Sequence, residues 1–279
     1  MKEKTAYLSI ETTGINRNKN HIYLIGIYTN ETSYSFYAKN ESDEEKIVRS
    51  SYKILKDKQI ISYKGTSFAL PFLNSKLATY GIYDFYKSYF DPYLFLKSYY
   101  KNPFSDLRLQ ELAKDEFEIE LLDKKELIKD YKLKRKEGTI SLKAIEENKK
   151  SLKAGVKILS YIKNEIIAKN LKNYRLGEID LKVFLYKFKV VKNNLVIYLF
   201  YDGDFEIDMI KSYAVLVGKD HKLEITLPLY EGKIKDDIYS CVKTDMENSY
   251  DLVDNLYPVI KNNEFMEENI ETLISYILN

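Results

Sequence analysis

Three strand-like runs follow one another with links too short for anything but neighbouring, reversed strands. Thr5–Glu11 is apolar at Ala6, Leu8 and Ile10, with Tyr7 between them; His21–Thr29 (HIYLIGIYT) is a nearly continuous apolar run; Ser33–Ala38 (SYSFYA) alternates with period two. Alternation marks a half-buried strand, and an unbroken apolar run of this length is consistent with a strand covered on both faces. The links are Thr12–Asn20 and Asn30–Thr32. A parallel crossover needs about a dozen residues or more, so the simplest pairing is an antiparallel meander.

The period then changes. Ser42 and Glu45 have the spacing of a capping box, and the helix they open runs to about Asp57, with Ile47, Val48, Ile54 and Leu55 on its apolar side. Gln59–Tyr63 reads as a short buried strand, Lys64–Ser67 as a turn, and Ala69–Tyr80 as a helix that Gly81 ends. Ser88–Asp91 predicts one more short strand, and helical patterns follow at Leu94–Tyr100, Leu107–Asp115, Lys124–Lys136 and Ile140–Asn170. The tail is different. Val183–Val191, Leu195–Tyr201, Tyr213–Val217 and Lys222–Leu227 are β-rich, Asn193-Asn194 and Gly218-Lys219-Asp220 are turn signals, and Glu267–Leu278 reads as a closing helix.

Charge divides the chain at the same place as the period. The net charge of +2 hides a tail, residues 176–279, with 11 basic and 19 acidic residues, and a stretch, residues 124–175, with 16 basic and 6 acidic. A domain boundary is therefore placed near residue 175, giving 1–175 and 176–279. A concentrated basic stretch is the electrostatic footprint of a polyanion binder; it is equally a solvated helical surface balancing the acidic tail. Composition itself does not decide between these. Of 44 basic residues only five are Arg, and there are 26 Tyr and no Trp, the profile that A/T-rich codons produce in any case.

Other classes are excluded more firmly. With 45% hydrophobic and 31% charged residues the composition is that of a globular chain. No uncharged apolar run approaches the ~18 residues of a membrane helix, and Met1–Lys4 lead into a strand and not an apolar leader, so neither a membrane span nor a secretory signal is expected. Cys241 is the single cysteine, so no internal disulfide and no cysteine metal cage can form, and a cytoplasmic location is the simplest expectation. His21 and His221, the two histidines, have no ligand-spaced partner, and no phosphate-binding glycine loop or hydrolase triad is present.

Four stretches stand out. The first strand ends Tyr7-Leu8-Ser9-Ile10-Glu11-Thr12-Thr13-Gly14. The turn after the fourth strand reads Tyr63-Lys64-Gly65-Thr66-Ser67-Phe68-Ala69-Leu70-Pro71-Phe72-Leu73. Asp91-Pro92-Tyr93 and Leu107-Arg108-Leu109-Gln110-Glu111-Leu112 follow, and Glu147-Asn148-Lys149-Lys150-Ser151 lies within a helical pattern. In order and spacing, over about residues 4–165, these resemble the ribonuclease-H-like superfamily, more narrowly its DEDD 3′–5′ exonuclease branch, and within that the YprB-type group of bacterial proteins. That group's motifs are Asp-x-Glu-Thr-Thr-Gly, Tyr-Asn-Gly-x-x-Phe-Asp-x-Pro-Phe-Leu and His-Asn-x-x-Asp. The resemblance implies an α/β fold: a five-stranded mixed sheet flanked by helices, followed by a smaller β-rich α+β domain.

The resemblance also implies a two-metal phosphoryl-transfer site built from four carboxylates. The sequence departs from it there. Glu11 is retained, but Ser9, Ala69 and Ser151 stand where the other three carboxylates belong, and Glu147 stands in place of the general-base His. Hard Mg²⁺ or Mn²⁺ needs several oxygen ligands carrying negative charge, which Ser and Ala do not supply. No metal ligand set is assigned and no cofactor is expected; Mg²⁺ or Mn²⁺ belongs only to the alternative in which substitute ligands restore activity.

Each candidate has two readings. Glu11 is a residual metal ligand, or a carboxylate now paired with a Lys or capping a loop amide. Glu147 is a relocated ligand, or an ordinary helix carboxylate. Thr12, Thr13 and Gly14 hold a nucleotide end through amides and hydroxyls, or only form the turn after the first strand. The Tyr-rich stretch Tyr80–Tyr100 stacks bases, or packs. Lys149, Lys150 and Lys153, inside the basic block, are candidate phosphate contacts. Three functions compete on this basis: a non-catalytic module binding DNA or RNA, an active metal-dependent nuclease, and a structural protein that meets a protein partner through the acidic tail.

Overall fold

The computed structural model describes residues 5–83, 88–203, 205–211, 213–246 and 255–279. The chain forms two compact units, Met1–Lys97 with Asn102–Glu165, and Ser98–Lys101 with Ile166–Asn279.

In the first unit the expected meander is present. Strand β1 (Thr5–Thr12) pairs antiparallel with β2 (Ile22–Thr29), and β2 with β3 (Thr32–Tyr37). Strand β4 (Gln59–Ile61) adds parallel to the other side of β1, and β5 (Tyr89–Phe90) parallel to β4, giving the order β3-β2-β1-β4-β5. The parallel additions need crossovers, which are α1 (Glu44–Leu55) and α2 (Leu70–Thr79). Helix α1 buries Ile47, Val48, Ser51 and Leu55, a helical stripe. Its start differs from the capping box expected at Ser42. Asn40 accepts the Asp43 N–H at the head of a 3₁₀ turn, Glu41–Asp43, that leads into the helix, and Glu45 instead pairs with Arg49 at 2.7 Å.

Successive strand residues face opposite sides of a sheet. Ala6, Leu8, Ile10, Ile25 and Ile27 therefore share one side, and they pack with Ile47, Val48, Phe72 and Leu73 from α1 and α2. Ser9 and Glu11 face the other side. Helices α3 (Pro92–Ser98), α4 (Leu109–Phe117), α5 (Lys124–Lys136) and α6 (Leu142–Tyr161) follow, and Tyr131 of α5 and Ala144 of α6 pack on Tyr23 and Leu24 of β2. Asp123 caps α5 by accepting the Lys125 N–H at 2.6 Å, and Ser141 caps α6 by accepting the Ala144 N–H at 2.9 Å. Helix α6 continues through a π-helical turn, Ile162–Ile167, into a last turn, α7 (Ala168–Asn170).

The second unit is a curled antiparallel sheet with one long helix. Its strands are β6 (Leu171–Leu176), β7 (Ile179–Val191), β8 (Asn194–Asp202), β9 (Ile207–Lys211), β10 (Ala214–Lys219), β11 (Lys222–Ile234), β12 (Asp237–Lys243), β13 (Leu256–Lys261) and β14 (Glu264–Phe265), and α8 (Glu267–Leu278) closes it. Strand β11 changes partner along its length: Lys222–Pro228 pairs with β8, and Leu229–Ile234 with β12. Pro228 has no N–H to donate and marks the switch. Ile270, Leu273, Ile274, Ile277 and Leu278 of α8 fall in the core of this unit. Together the units give the expected architecture, an α/β fold with a mixed five-stranded sheet followed by a β-rich unit. No described helix is long and apolar enough to cross a membrane.

Candidate functional site

Three of the four positions at which the resemblance places a carboxylate line one cleft. Ser9 comes from β1, Ala69 from the turn before α2, and Ser151 from α6; Tyr63, Lys64 and Lys124 line it with them, and it encloses about 180 Å³. Glu11, two residues along β1 on the same face as Ser9, is 4% exposed and accepts a short hydrogen bond from the Lys124 ammonium. Of the two readings of Glu11, the geometry is that of a carboxylate paired with a lysine. Lys124 is the first residue of α5, so the Asp123 cap also fixes where the ammonium can reach.

The other flank of Glu11 is aromatic. Tyr23 stacks on Tyr131 with ring centroids 4.1 Å apart. Burial first, and the nearby Glu11 charge second, push the Tyr23 phenol well above its ordinary pKa, so it stays protonated. Among the described residues its buried hydroxyl has no hydrogen-bond partner.

Helix α6 sits on the β1–β2 pair through Asn148. The Asn148 side-chain amide donates to Ser9 Oγ at 3.1 Å. It lies over Gly26, which faces Ser9 across the ladder, and a Cβ at Gly26 would fall 1.8 Å from Asn148 Oδ1. This seat sets the register of α6, so Ser151, one turn on, reaches the cleft. Glu147 is also buried, but it turns away: its carboxylate accepts the Leu122 N–H at 2.6 Å and lies 3.5 Å from Lys150. Lys149, Lys150 and Lys153 are exposed on α6 and do not line this cleft; of the 124–175 block, Lys124 is the lysine that does.

The turn after β4 is held by Asp91. Its carboxylate accepts the Lys64 N–H at 3.0 Å, the Thr66 N–H at 3.1 Å, the Thr66 hydroxyl at 2.6 Å and the Tyr93 N–H at 3.1 Å. Lys64 takes a left-handed conformation, φ 54°, and its ammonium lies 4.6 Å from the centre of the Tyr93 ring. Gly65 is required next to it, because a Cβ there would meet Ser62 Cβ at 2.5 Å. Thr12, Thr13 and Gly14 form the turn that follows β1: Thr12 Oγ1 donates to the Gly14 carbonyl at 2.8 Å, and Thr13 Oγ1 accepts the His21 N–H at 3.1 Å. In the Tyr-rich stretch, residues 84–87 lie outside the described residues. Tyr80 donates to Glu44, Tyr93 packs on Tyr63 and Tyr100 donates to Glu271, while Tyr83 and Tyr89 are exposed.

The ligand set does not fit divalent metal ions. Among the described residues no three His, Cys, Asp or Glu side chains lie close enough to share one. Behind the cleft wall Glu11 faces an ammonium; in the wall Ser9 is bonded to Asn148, Ala69 offers a methyl group and Ser151 a neutral hydroxyl. A larger cavity of about 540 Å³ lies in the second unit beside α8, with none of the motif residues in its wall.

Comparison with known proteins places the first unit. Residues 6–133 match the family model of the RNase_H superfamily, and the mixed five-stranded sheet with its flanking helices is a ribonuclease-H-like fold. Similar solved structures include a nuclease in its apo form (16% identity, 60% of this chain and 77% of that one, TM-score 0.42). They also include the zinc-bound E. coli ExoI–ssDNA complex (9% identity, 71% and 54%, TM-score 0.44). The Aedes aegypti Nibbler EXO domain is a third (15% identity, 60% and 86%, TM-score 0.38). No curated protein matches the chain.

Proposed function

We propose that this chain is a catalytically degenerate member of the DEDD exonuclease branch, of the YprB type, and binds nucleic acid without cutting it. The observation that carries this reading is the cleft itself. Three motif positions converge there as Ser9, Ala69 and Ser151, and the remaining carboxylate, Glu11, is neutralised by Lys124. Residues of one metal-binding unit act together, so losing several abolishes turnover and not merely slows it. What survives is shape and positive charge: Lys64 and Lys124 in the cleft, and Lys149, Lys150 and Lys153 exposed on α6. Contacts of this kind go to phosphates, so binding is salt-sensitive and poor in sequence specificity.

The test is a labelled-oligonucleotide gel with single-stranded and duplex DNA and RNA, in Mn²⁺ or EDTA, at low and high salt. The reading predicts a salt-sensitive shift without cleavage. Cleavage that needs Mn²⁺ and disappears in Glu11→Gln would overturn it in favour of an active nuclease. Neither shift nor cleavage would overturn it in favour of a protein-interaction role.

A further inference from the structure

The Glu11–Lys124 pair is lopsided. Its carboxylate is in the core, with the side chain 4% exposed, while the Lys124 side chain is 47% exposed at the cleft. An ammonium has three protons, and Glu11 takes one of them. Among the described residues no Asp or Glu lines the cleft, whereas Lys64 and Lys124 both do, alongside the neutral hydrogen-bonding groups of Ser151 and Gln110. Glu11 lies behind Lys124, and Asp91 is taken up by the backbone of the turn that carries Lys64, so the charged groups in the cleft wall itself are the two ammoniums. Its volume, about 180 Å³, is below the ~300–1,000 Å³ of pockets for drug-sized ligands. A chain end can enter such a space; the middle of a duplex cannot.

We propose that the cleft is a metal-independent receptor for the terminal phosphate of a nucleic acid, with the Lys124 ammonium as the cation that meets it and Lys64 as the second. The inference rests on the nucleic-acid reading above. A terminal monoester carries about 1.5–2 negative charges near neutral pH, against one for each internal diester. It therefore gains more than a diester from a fixed ammonium that needs no reorganisation on binding. Lys64 is held for this by the Asp91-bonded turn and by the Tyr93 ring beneath its ammonium.

The experiment is fluorescence anisotropy in EDTA with one short single-stranded oligonucleotide in three forms: both ends hydroxyl, 3′-phosphate and 5′-phosphate. One of the phosphorylated forms is expected to bind about tenfold more tightly than the hydroxyl form, and the same gain is expected in Mn²⁺ at matched ionic strength. Lys124→Met abolishes the gain: in this variant the phosphorylated and hydroxyl forms bind alike, whatever affinity the hydroxyl form retains. Glu11→Gln raises the gain, because it removes the carboxylate that pairs with Lys124; a metal-ligand role for Glu11 predicts the opposite sign. If Lys124→Met is shown by circular dichroism to be unfolded, the neutral double variant Glu11→Gln/Lys124→Met must show the same loss. If no oligonucleotide binds the wild-type protein, the nucleic-acid reading falls with this one. If oligonucleotides bind but the terminal phosphate adds nothing, or its gain survives loss of Lys124, this inference alone falls.

Discussion

Replacing Gly26 by Ala should unseat α6. Gly26 pairs with Ser9 across β1 and β2, and its backbone allows Ala, since its φ is not in the left-handed range. Space does not allow it. The new Cβ would lie 1.8 Å from Asn148 Oδ1 and 2.9 Å from Leu152 Cδ1. Asn148 is fully buried and cannot swing into solvent. Either α6 moves off the sheet or the Asn148 amide leaves Ser9. Overpacking costs about 1–3 kcal/mol, and stranding a buried hydrogen-bonding group about 1–3 kcal/mol more. Removing a strand glycine returns about 0.5–1 kcal/mol. The expected net loss is about 1–5 kcal/mol. Asn148→Ala in the same background removes the nearest clash, so the double variant should be less destabilised than the sum of the singles by more than about 1 kcal/mol. Hydrogen exchange of the β2 amides during urea titration measures this, since it reports on the first unit alone. A Gly26→Ala cost below about 1 kcal/mol, or an additive cycle, would refute the claim that Asn148 over Gly26 sets the register of α6.

Three further outcomes follow from the same packing. Gly65→Ala should cost about 1–3 kcal/mol, because Ser62 and the turn that carries Lys64 must shift; an equilibrium urea curve checks it. Glu271 in α8 accepts hydrogen bonds from Tyr100 at 2.9 Å, Lys101 at 2.7 Å and Lys172 at 2.8 Å. Burial alone would raise its pKa, but these donors prevail and hold it at about 2, below the ordinary 4.5. The folded value is the lower one, so Glu271 stabilises the second unit above pH ~4.5 and loses that contribution as pH falls toward ~2; solvent around the half-exposed Lys101 and Lys172 keeps it to about 1 kcal/mol. Glu271→Gln should flatten that part of the stability profile, and an unchanged acid limb would refute the assignment. Cys241 is buried and its thiol is pushed up to about 11 by desolvation. It should resist thiol reagents in the native state and react fully in denaturant; rapid native labelling would show that β12 opens.

The sequence made the first unit legible because its signals are local. Tight links dictated the meander, and period two put Ser9 and Glu11 on one face. Three motifs scattered over more than 140 residues then met in one cleft. The partner of Glu11 was legible as a type of residue but not as Lys124. The two are 113 residues apart, and nothing local distinguishes Lys124 from its many neighbours in a lysine-rich helix. Asn148 was visible in its motif, but Gly26, the residue that makes room for it, reads as one more position in an apolar strand. In the tail, β6, β9, β12, β13 and β14 were not read as strands. Pro258 argues against a paired strand, yet it faces Cys241 beside a bulge that absorbs the irregularity. Strand β9 is five residues long with three consecutive exposed positions, so it carries no alternation. The expected cap at Ser42 lost to Asn40 because a 3₁₀ turn precedes α1.

The Lys124 ammonium, and not a divalent metal, neutralises Glu11. Titration of the intact protein with Mn²⁺, followed by the electron paramagnetic resonance signal of the free ion, tests it directly. No stoichiometric uptake by the wild-type chain is expected, and no change on Glu11→Gln. Stoichiometric Mn²⁺ binding that Glu11→Gln removes would contradict it, since Glu11 would then hold a metal in spite of Lys124.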